Sequence, residues 1–518
     1  MDTRTLAPDW LAARARLSPE RVGLVERATG RQTTFAAWHA RARRTAALLH
    51  RLGVRAGDRV AVLAANRAEM LDLLFACGTL GAILHPLNGR LASPELQRVV
   101  AASQPRAFLH AAAFAETAAV LRAALPPGCV RLALDGSGDA DVAFAERARE
   151  AVREDLGATA TCDTPWLIVN TGGTTGLPKG AVLTHGNLLA NASGTVASWG
   201  LRDDDVAPLQ LPLYHVGGFN VFCLPLVWIG GTTVLCTGFD ADETFDLLPS
   251  VTRYIGVPAM FAALQAHPRW PSADFSTLRL VISGGAPCPP AISRAFWDRG
   301  VLFRQGYGLT EATGNNFWLP DAEVRARPGS VGRPMLHVEA RVVDPETGAA
   351  CAPGQTGELL LRGPHVMAGY WQRPEATAEV LCDGWLRTGD LARTDAEGFY
   401  TIVGRRKEMF ISGGENVYPS EVEAALLAHP GVAEAAVVGV PDARWGEVGH
   451  AFVVPTPAVA LSAEALEAFL AERLARYKRP AALTFVAALP RTPLGKIDKN
   501  ALAAVSAVSH SPSQPPLS

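Results

Sequence analysis

A segment rich in threonine and glycine has the clearest potential for chemistry. Ten residues from Thr171 to Gly180 read TGGTTGLPKG and follow the apolar run Trp166–Val169, so they leave a predicted strand. Glycines let a backbone approach a ligand closely, and successive N–H groups then form an anion-binding concavity. Threonine hydroxyls and one ammonium add further donors. The segment therefore predicts a polyphosphate site, with contacts from Thr171, Gly172, Gly173, Thr174, Thr175, Gly176 and Lys179.

This loop differs from a Walker A motif, in which Ser or Thr follows the Gly-Lys pair. Here Pro178 precedes Lys179 and Gly180 follows it. A flexible turn that happens to carry polar residues is the alternative interpretation, because a glycine loop alone is a weak signal.

Four charged residues stand in or beside turn-like segments elsewhere in the chain: Glu311 in YGLTE, Asp390 in WLRTGD, Arg405 in GRRK and Lys496 in PLGK. A glutamate carboxylate is a hard oxygen ligand that suits Mg²⁺, and an arginine is a permanent cation with several donors. Each has a plain alternative when taken singly: a glutamate at a helix start, a turn aspartate, a solvated arginine and a surface lysine.

The elements that must position these residues alternate between strands and helices. Thr34–Leu52 has apolar residues at helical spacing, and Gly53 stands where a C-terminal cap belongs. Such alternation predicts an α/β architecture with largely parallel sheets. The predicted strands in this part are Arg59–Ala64, Trp166–Asn170, Thr233–Cys236 and Leu278–Ser283.

The pattern changes after about Gly329, where strands divided by turn signals predict a smaller β-rich subdomain. A last unit follows Lys407, with a helix at Ser420–Leu427, two strands, and a helix from Ser462 to Arg476. We therefore predict a large domain over residues 1–405, a hinge at 406–407, a second domain over 408–505 and a disordered tail over 506–518.

Composition excludes several classes of protein. The 518 residues carry a formal net charge of -2, which gives no indication of nucleic-acid binding. The eight cysteines include no CxxC pair, which favours buried thiols in a reducing compartment, and we expect a cytoplasmic protein. The stretch Val206–Phe239 lacks charged residues, but prolines and glycine pairs interrupt it, so we expect no transmembrane segment.

The loop at Thr171 and the four charged segments, in this order and spacing, closely resemble the adenylate-forming superfamily, which includes acyl-CoA synthetases, peptide-synthetase adenylation domains and firefly luciferase. The resemblance runs from about Phe35 to Lys499. It implies two α/β subdomains plus a small β-barrel-like subdomain in the large domain, and a smaller mobile α+β C-terminal domain. It also implies ATP, Mg²⁺, coenzyme A and a small carboxylic acid as ligands, and it leaves a homodimer open.

The resemblance gives each segment a role. It implies that Glu311 holds Mg²⁺, that Thr310 contacts phosphate, and that Lys496 meets the carboxylate and the α-phosphate. Asp390 would bind the ribose, and Arg405 would lie near ribose and phosphate. The remaining implied contacts are Gly285, Ala286, Pro287, Tyr307 and Gly308 at the adenine, Gly413 and Gly414 at the pantetheine channel, Lys407 at the hinge, and His215 in a substrate-gating motif, with a structural histidine the equal alternative there.

The acyl pocket is predicted from four stretches: Tyr214–Phe222, Val281–Gly285, Gly306–Gly308 and Asn315–Trp318. Their apolar residues favour a medium- or long-chain fatty acid first and an aryl acid, such as a benzoate, cinnamate or succinylbenzoate, second. A dicarboxylic acid is disfavoured unless Arg304 or Arg333 pairs with its second carboxylate. Amino-acid adenylation for a carrier protein, luciferase-type oxidation and a non-catalytic nucleotide-binding relative are the other hypotheses.

Overall fold

The computed structural model describes most of the chain: residues 7–135, 140–153, 155–156, 160–171, 178–412, 415–442, 445–457, 459, 461–492 and 496–509. Three groups of predicted residues lie outside these ranges: 510–518 of the predicted tail, the loop residues Gly172, Gly173, Thr174, Thr175 and Gly176, and the pair Gly413 and Gly414. The first residues of the tail predicted over 506–518 are not disordered as predicted, because 506–509 belong to the helix Lys499–Ser509.

An eight-stranded sheet forms the centre of the first subdomain. It is parallel except for the last two pairings at one edge, which are antiparallel. Helices cover it because their apolar faces must be buried; Phe35–Arg51, for example, begins at the Thr34 cap and buries Trp38 completely. In spatial order the strands are Gly369–Tyr370, Lys179–Thr184, Pro165–Thr171, Ile83–Pro86, Arg59–Leu63, Ala107–His110, Val130–Ala133 and Val142–Ala143.

Two smaller sheets form the second subdomain. One contains Val206–Leu209, Thr232–Leu235, Val22–Glu26 and Arg31–Thr34, in that order. The other is fully parallel, with Arg253–Gly256, Leu280–Ser283 and Phe303–Gln305 side by side. Their carboxyl ends lead into the glycine turns that the sequence singled out, at Gly284 and at Gly306.

The helices of the large domain pack on these sheets or connect them. Ala68–Leu80 ends at Gly81, whose φ of 65° is the left-handed conformation that glycine adopts without strain. The helices are Trp10–Leu17, Phe35–Arg51, Ala68–Leu80, Ser93–Ser103, Ala115–Leu121, His185–Trp199, Val216–Gly218 with Leu224–Ile229, Ala241–Leu247, Pro258–Ala266, Pro290–Asp298 and Pro374–Val380.

A five-stranded antiparallel sheet forms the third subdomain, beside the short ladder of Phe317–Trp318 and Arg333–Pro334. It carries Asp390 and Arg405 on neighbouring strands. Its strands are Glu339–Val343, Gly357–Arg362, Leu381–Cys382, Trp385–Thr394 and Tyr400–Arg405.

The C-terminal domain has its own core around another five-stranded sheet. The helices Pro419–Leu427 and Ala463–Ala471 bury Val422, Leu426, Leu466 and Leu470 against it. Each such side chain stabilises the fold by about 1.5–3 kcal/mol. The strands are Phe410–Ser412, Glu415–Val417, Val432–Asp442, Gly446–Pro455 and Ala482–Phe485, and the helix Lys499–Ser509 closes the domain.

The predicted α/β fold class is confirmed, and two predicted helices differ from the structure. The helix predicted over Ser462–Arg476 ends at Ala471, where the chain passes into a turn closed by the bond from the Arg473 amide to the Leu470 carbonyl. Within the uncharged stretch Val206–Phe239, where the sequence also predicts a buried helix near Phe219–Ile229, the helix begins earlier, at Val216, and contains a π-turn at Phe219–Cys223. Among the described helices, none combines the length and apolar character needed to cross a bilayer.

Candidate active site

Asp390 is held on both sides by side chains from different parts of the chain. Tyr307 donates a 2.5 Å hydrogen bond to its Oδ2, and Arg405 Nε lies 2.6 Å from its Oδ1. Burial raises the pKa of Asp390, and the positive charge of Arg405 opposes that rise. The pKa of Tyr307 is raised well above its ordinary value by burial and by the Asp390 charge, so the phenol stays a donor. The arrangement presents a fixed carboxylate, as recognition of vicinal hydroxyls requires.

The local fold explains this placement. Asp390 and Arg405 are directly opposite each other on antiparallel strands, so their side chains share one face. Thr388 fixes the turn, because its hydroxyl accepts a hydrogen bond from the Asp390 amide and donates one to the Leu359 carbonyl.

Glu311 stands in a single 3-10 turn, Thr310–Ala312, that follows the strand Phe303–Gln305 and the Gly306–Gly308 turn. Its Oε1 accepts a 2.7 Å hydrogen bond from the phenol of Tyr370. The ammonium of Lys179 lies 5.1 Å from the centre of the same ring, within the range of a cation–π contact. Glu311 and the lysine of the phosphate loop therefore meet at Tyr370.

The predicted phosphate loop, from Thr171 to Gly180, joins two antiparallel strands, with Thr171 opposite Lys179 at its base. The Thr171 hydroxyl donates to the Lys179 carbonyl at 3.4 Å. A Walker A loop instead leads from a strand into a helix, so the structure agrees with the distinction made from Pro178 and Gly180.

Lys496 comes from the C-terminal domain but acts on charges of the large domain. Although much of its side chain is exposed, the surrounding protein removes enough water to lower its pKa, and Arg405 acts in the same direction. The carboxylates of Asp390 and Glu311 oppose this shift. The lysine, the aspartate and the glutamate thus lie within electrostatic reach of one another.

His215 faces the same site. Burial first, and then the positive charges of Lys496 and Arg90, lower the pKa of His215 to about 4. The imidazole is therefore neutral near pH 7.

The glycine turns leave an open face at the carboxyl end of the three-stranded sheet. Gly285 has a φ of 80°, and Gly285, Ala286 and Pro287 are exposed. A Cβ on Gly308 would lie 1.4 Å from the Gly314 carbonyl oxygen, so only glycine fits there. A flat base can approach such a backbone closely.

An aromatic cluster lies behind this turn. Trp199 stacks on Trp318 and meets Phe222 edge to face, with ring centroids 5.8 Å apart in both pairs. Ile255 and Ile282, from neighbouring strands, belong to the same cluster. Within the described part of the chain, the buried Nε1–H of Trp199 has no acceptor.

The four predicted acyl-pocket stretches come together only in part. A Cβ on Gly314 would touch Val216, Asn191 and Asn220, which places the Gly314 turn against the π-turn helix. Asn315 bonds to Thr195 at 2.8 Å and ties this turn to the helix His185–Trp199. Two residues of the prediction face elsewhere: Val281 packs with Phe261 and Phe303 on the other side of the sheet, and Phe219 packs into the core of the first subdomain.

Sequence reasoning missed Tyr370 and Trp199. Tyr370 follows a single glycine between turn-like residues and carries no motif of its own. Trp199 ends the helix His185–Trp199, where its position on the face with Thr195 is the only signal that would have pointed to it.

The AMP-binding enzyme family model matches residues 11–371, and the AMP-binding enzyme C-terminal domain model matches residues 421–496. The chain is 43% identical to a feruloyl-CoA synthase of an Amycolatopsis species, over 95% of this chain and 97% of that protein. It is 40% identical to an indoleacetate–CoA ligase of Aromatoleum aromaticum (95% and 96% covered) and 36% identical to the long-chain-fatty-acid–CoA ligase FadD13 of Mycobacterium tuberculosis (95% and 97%).

Solved structures of similar proteins agree along the whole chain. ATP-bound MatB from Rhodopseudomonas palustris superposes with a TM-score of 0.89 at 33% identity, covering 98% of this chain and all of that one. The o-succinylbenzoate coenzyme A synthetase of Bacillus subtilis in complex with ATP and magnesium gives a TM-score of 0.85 at 32% identity, with 96% and 99% covered. The chain belongs to the AMP-binding enzyme family.

Proposed function

We propose that this protein activates an aryl-substituted carboxylic acid as its acyl-adenylate and then transfers the acyl group to coenzyme A. The acyl-CoA synthetase activity follows from the family and from relatives that share more than a third of their residues with nearly the whole chain. The identity of the acid and the roles of single residues are our proposal.

One observation carries the catalytic part: charges from both domains act on one another at a single site. Lys496 comes from the C-terminal domain, and its pKa responds to Arg405, Asp390 and Glu311 of the large domain. A carboxylate and a triphosphate are both anions, so their reaction needs cations placed where the charges meet. In our proposal Lys496 bridges the attacking carboxylate and the α-phosphate.

The residues present fit magnesium bound together with ATP. The described residues include no group of three metal-ligating side chains, so no all-protein metal cage exists there. Mg²⁺ suits a site of one or two carboxylates that is completed by substrate phosphates. Glu311 supplies such a carboxylate, with Oε1 fixed by Tyr370. When bound, the ion would neutralise phosphate charge and orient the oxygens of the leaving pyrophosphate.

The protein's other groups bind and orient the nucleotide. Asp390, held by Tyr307 and Arg405, would accept the ribose hydroxyls, and Gly285–Pro287 would border the adenine. Lys179, Thr310 and the loop from Thr171 to Gly176 would donate to the phosphates. A substrate carboxylate oxygen then forms a bond to the α-phosphorus as the bond to pyrophosphate breaks, and no protein nucleophile is required.

The second half-reaction needs the thiol of coenzyme A at the same carbonyl carbon. A C–S bond forms, the bond to AMP breaks and the thiol loses its proton. We propose that the C-terminal domain turns about residues 406–407 between the two steps, and that the segment with Gly413 and Gly414 then borders the pantetheine arm. Since ATP and coenzyme A are cytoplasmic metabolites and all eight cysteines are free thiols, we place the enzyme in the cytoplasm.

The aromatic cluster favours an aryl acid over the fatty acid that the sequence put first. The cluster presents the ring faces and edges of Trp199, Phe222 and Trp318. Such rings pair favourably with another aromatic ring when the ring centroids are about 4.5–7 Å apart. Two of the relatives are named for aryl acids, feruloyl and indoleacetate. A long-chain fatty acid is the second candidate, because the aliphatic members Ile255, Ile282 and Met335 line the same cluster and one relative is named for it.

A second carboxylate on the acid would have no free partner in Arg304 or Arg333, the two arginines considered from the sequence. Arg304 is buried, pairs with Asp321 and lies over the Trp318 ring. Arg333 lies over Phe399 and donates to the Glu397 carbonyl. Both are already engaged, which supports a monocarboxylic acid.

The experiment is a substrate screen of the complete reaction. We would incubate the protein with ATP, Mg²⁺, coenzyme A and a panel of acids, and follow AMP, pyrophosphate and acyl-CoA by mass spectrometry. The panel needs hydroxycinnamic, indoleacetic, benzoic and succinylbenzoic acids, fatty acids of several lengths, and amino acids. We expect the highest kcat/KM with an aryl acid.

Two results would contradict the proposal at different levels. Turnover of fatty acids well above every aryl acid would overturn the aryl assignment and leave the ligase activity standing. ATP binding without AMP formation from any acid would instead favour a non-catalytic relative.

A further inference from the structure

Tyr370 joins two parts of the site that are distant in sequence. Its phenol bonds to Glu311 at 2.7 Å, and its ring lies under the Lys179 ammonium at 5.1 Å. One aromatic side chain therefore contacts both the candidate metal ligand and the lysine of the phosphate loop.

The backbone around Tyr370 is fixed at several points. The strand Gly369–Tyr370 pairs with Ala181 and Val182, which follow the phosphate loop. The Met367 amide donates to the Glu311 carbonyl at 2.8 Å, and the Trp371 amide donates to the Gly180 carbonyl at 2.7 Å. This short segment is thus hydrogen-bonded to Glu311 at one end and to Gly180, at the end of the predicted phosphate loop, at the other.

A close helix holds the strand in place. The Tyr370 amide donates to Thr377 Oγ1 at 2.9 Å, and Thr377 belongs to the helix Pro374–Val380. Gly369 has a φ of 145°, and a Cβ there would lie 2.8 Å from the Thr377 methyl group, so glycine is needed for the approach. The position of the phenol is therefore set by backbone contacts and not by Glu311 alone.

A phenol in this position restricts how Glu311 can bind a cation. It donates to one lone-pair site of Oε1, which favours Oε2 as the oxygen for a metal ion. A tyrosine hydroxyl ordinarily keeps its proton until about pH 10, so it donates to the carboxylate. Partners of metal ligands commonly fix ligand orientation in this way.

We propose that Tyr370 is a positioning residue that orients Glu311 for Mg²⁺ and couples it to Lys179 of the phosphate loop. The proposal rests on the metal role given to Glu311 in the proposed function. It does not make Tyr370 a catalytic residue, since its contacts are with Glu311 and Lys179 and none is with the reacting atoms.

The test measures metal binding directly. Mn²⁺ serves as the probe, and its binding to the full-length protein with α,β-methylene-ATP is followed by electron paramagnetic resonance. Tyr370→Phe removes the hydroxyl and keeps the ring under Lys179. We expect Mn²⁺ to bind about tenfold more weakly, the lower end of the loss typical for such partners, with unchanged affinity for the nucleotide in the absence of metal.

Tyr400→Phe is the matched control, because its hydroxyl donates to the Ala340 carbonyl at 2.9 Å and makes no contact with Glu311. It should bind Mn²⁺ as the unsubstituted protein does. Tyr370→Leu, which also removes the ring, should weaken nucleotide binding even without metal, because Lys179 then loses its cation–π contact.

Unchanged Mn²⁺ affinity in Tyr370→Phe, within about twofold (well below the usual loss), would overturn the inference. Glu311→Gln separates this failure from a failure of the proposed function. If Glu311→Gln also binds Mn²⁺ normally, the metal role of Glu311 is wrong; if it loses Mn²⁺ while Tyr370→Phe does not, only the positioning role of Tyr370 is wrong. Circular dichroism and thermal unfolding of each variant confirm that it is folded.

Discussion

The phenol of Tyr307 donates a 2.5 Å hydrogen bond to Oδ2 of Asp390, while Arg405 holds the other oxygen of that carboxylate at 2.6 Å. Tyr307 leaves the three-stranded sheet of the second subdomain, and Asp390 belongs to the antiparallel sheet of the third. The hydrogen bond therefore spans two subdomains at the place where the nucleotide is proposed to bind.

Asp390→Asn should weaken ATP binding strongly. It removes a charged acceptor and leaves Arg405 without its partner; hydrogen bonds to charged groups are worth about 1.5–3 kcal/mol, so we expect KM for ATP to rise by about 10- to 100-fold. Tyr307→Phe keeps the charge and should give a smaller rise. Steady-state kinetics at saturating acid measure both variants.

Asp344→Asn is the control for this pair. Asp344 lies on the same subdomain, and its carboxylate accepts hydrogen bonds from the local turn at Glu346 and Thr347. Its KM for ATP should stay unchanged. An Asp390→Asn enzyme with normal KM for ATP would remove Asp390 from the ribose site.

Lys496→Ala should separate the two half-reactions. Loss of a positioned cation at developing charge costs about 10²–10³ in rate, so adenylate formation, followed by pyrophosphate release, should fall by that factor. Thioester formation from supplied acyl-adenylate should be spared. Equal losses in both half-reactions would mean that Lys496 does not have the assigned role.

The pH dependence of adenylation follows from the same lysine. Loss of water around Lys496, with the charge of Arg405, lowers its pKa. A lysine with a lowered pKa loses its charge at a lower pH than an ordinary lysine. As the pH is raised, kcat/KM for ATP should therefore begin to fall at a lower pH than it would with an ordinary lysine. Lys496→Arg keeps its charge to higher pH and should extend the plateau; an identical alkaline limb in both enzymes would assign the limb to another group.

Much of this site could be predicted from local sequence, and the exceptions have a physical cause. Glycine turns after apolar strands predicted where Gly285, Gly308 and the phosphate hairpin would lie, because strand ends and turn residues are local properties. Tyr370 could not be predicted, since its partner Glu311 is 59 residues away and the contact exists only once two subdomains pack.

The helical segment from Val216 to Ile229, which contains the π-turn, shows the same limit of prediction from local sequence. Gly217 and Gly218 argue locally against a helix, yet helical structure begins at Val216. Tertiary contacts decide the outcome: Asn220 is fully buried and donates to the Thr313 carbonyl at 2.8 Å, which holds the turn in place. Helix propensity is a weak prior against such contacts.

Trp199 provides the test of substrate class. Its buried Nε1–H has no acceptor among the described residues, and we expect a substituent oxygen on an aromatic acid to supply one. Trp199→Phe keeps most of the packing and removes the donor. We expect kcat/KM to fall by about 2- to 10-fold for a hydroxylated or methoxylated aryl acid, the effect of one neutral hydrogen bond, and to change little for the unsubstituted acid.

The comparison of the two acids is internal to each enzyme, so a general loss of stability does not affect it. An equal loss for both would show that Trp199 only packs the cluster. A Trp199→Phe enzyme that gains activity on fatty acids, with no change in the ratio of the two aryl acids, would favour the second candidate substrate.

Buried histidines should make the protein sensitive to acid. His185 stacks on Trp166 with ring centroids 4.2 Å apart, and both of its ring nitrogens lack partners in the described part of the chain. Burial lowers its pKa to about 4. His85 and His365 are also buried, and burial lowers the pKa of each to about 4.

The direction in which stability changes with pH follows from the protons bound by the folded and the unfolded chain. Above about pH 6.5, the ordinary histidine pKa, His185 is neutral in both folded and unfolded chains, and its stability contribution is complete. Below that value the histidine is protonated in the unfolded chain, whereas in the folded protein it stays neutral down to about pH 4. Stability therefore falls as pH drops through this window, by at most about 1.4 kcal/mol per pH unit for each such histidine.

His185→Phe should remove this loss at one position. Phenylalanine keeps the stacked ring against Trp166 and cannot take up a proton. We expect a thermal midpoint close to that of the unsubstituted protein at about pH 8 and a higher one at about pH 5, where the ordinary histidine value of about 6.5 makes the gain largest. His337→Asn, which removes an exposed histidine, is the control and should shift neither midpoint. Equal midpoints for His185→Phe and the unsubstituted protein at about pH 5, with equal midpoints at about pH 8, would show that His185 does not limit acid stability.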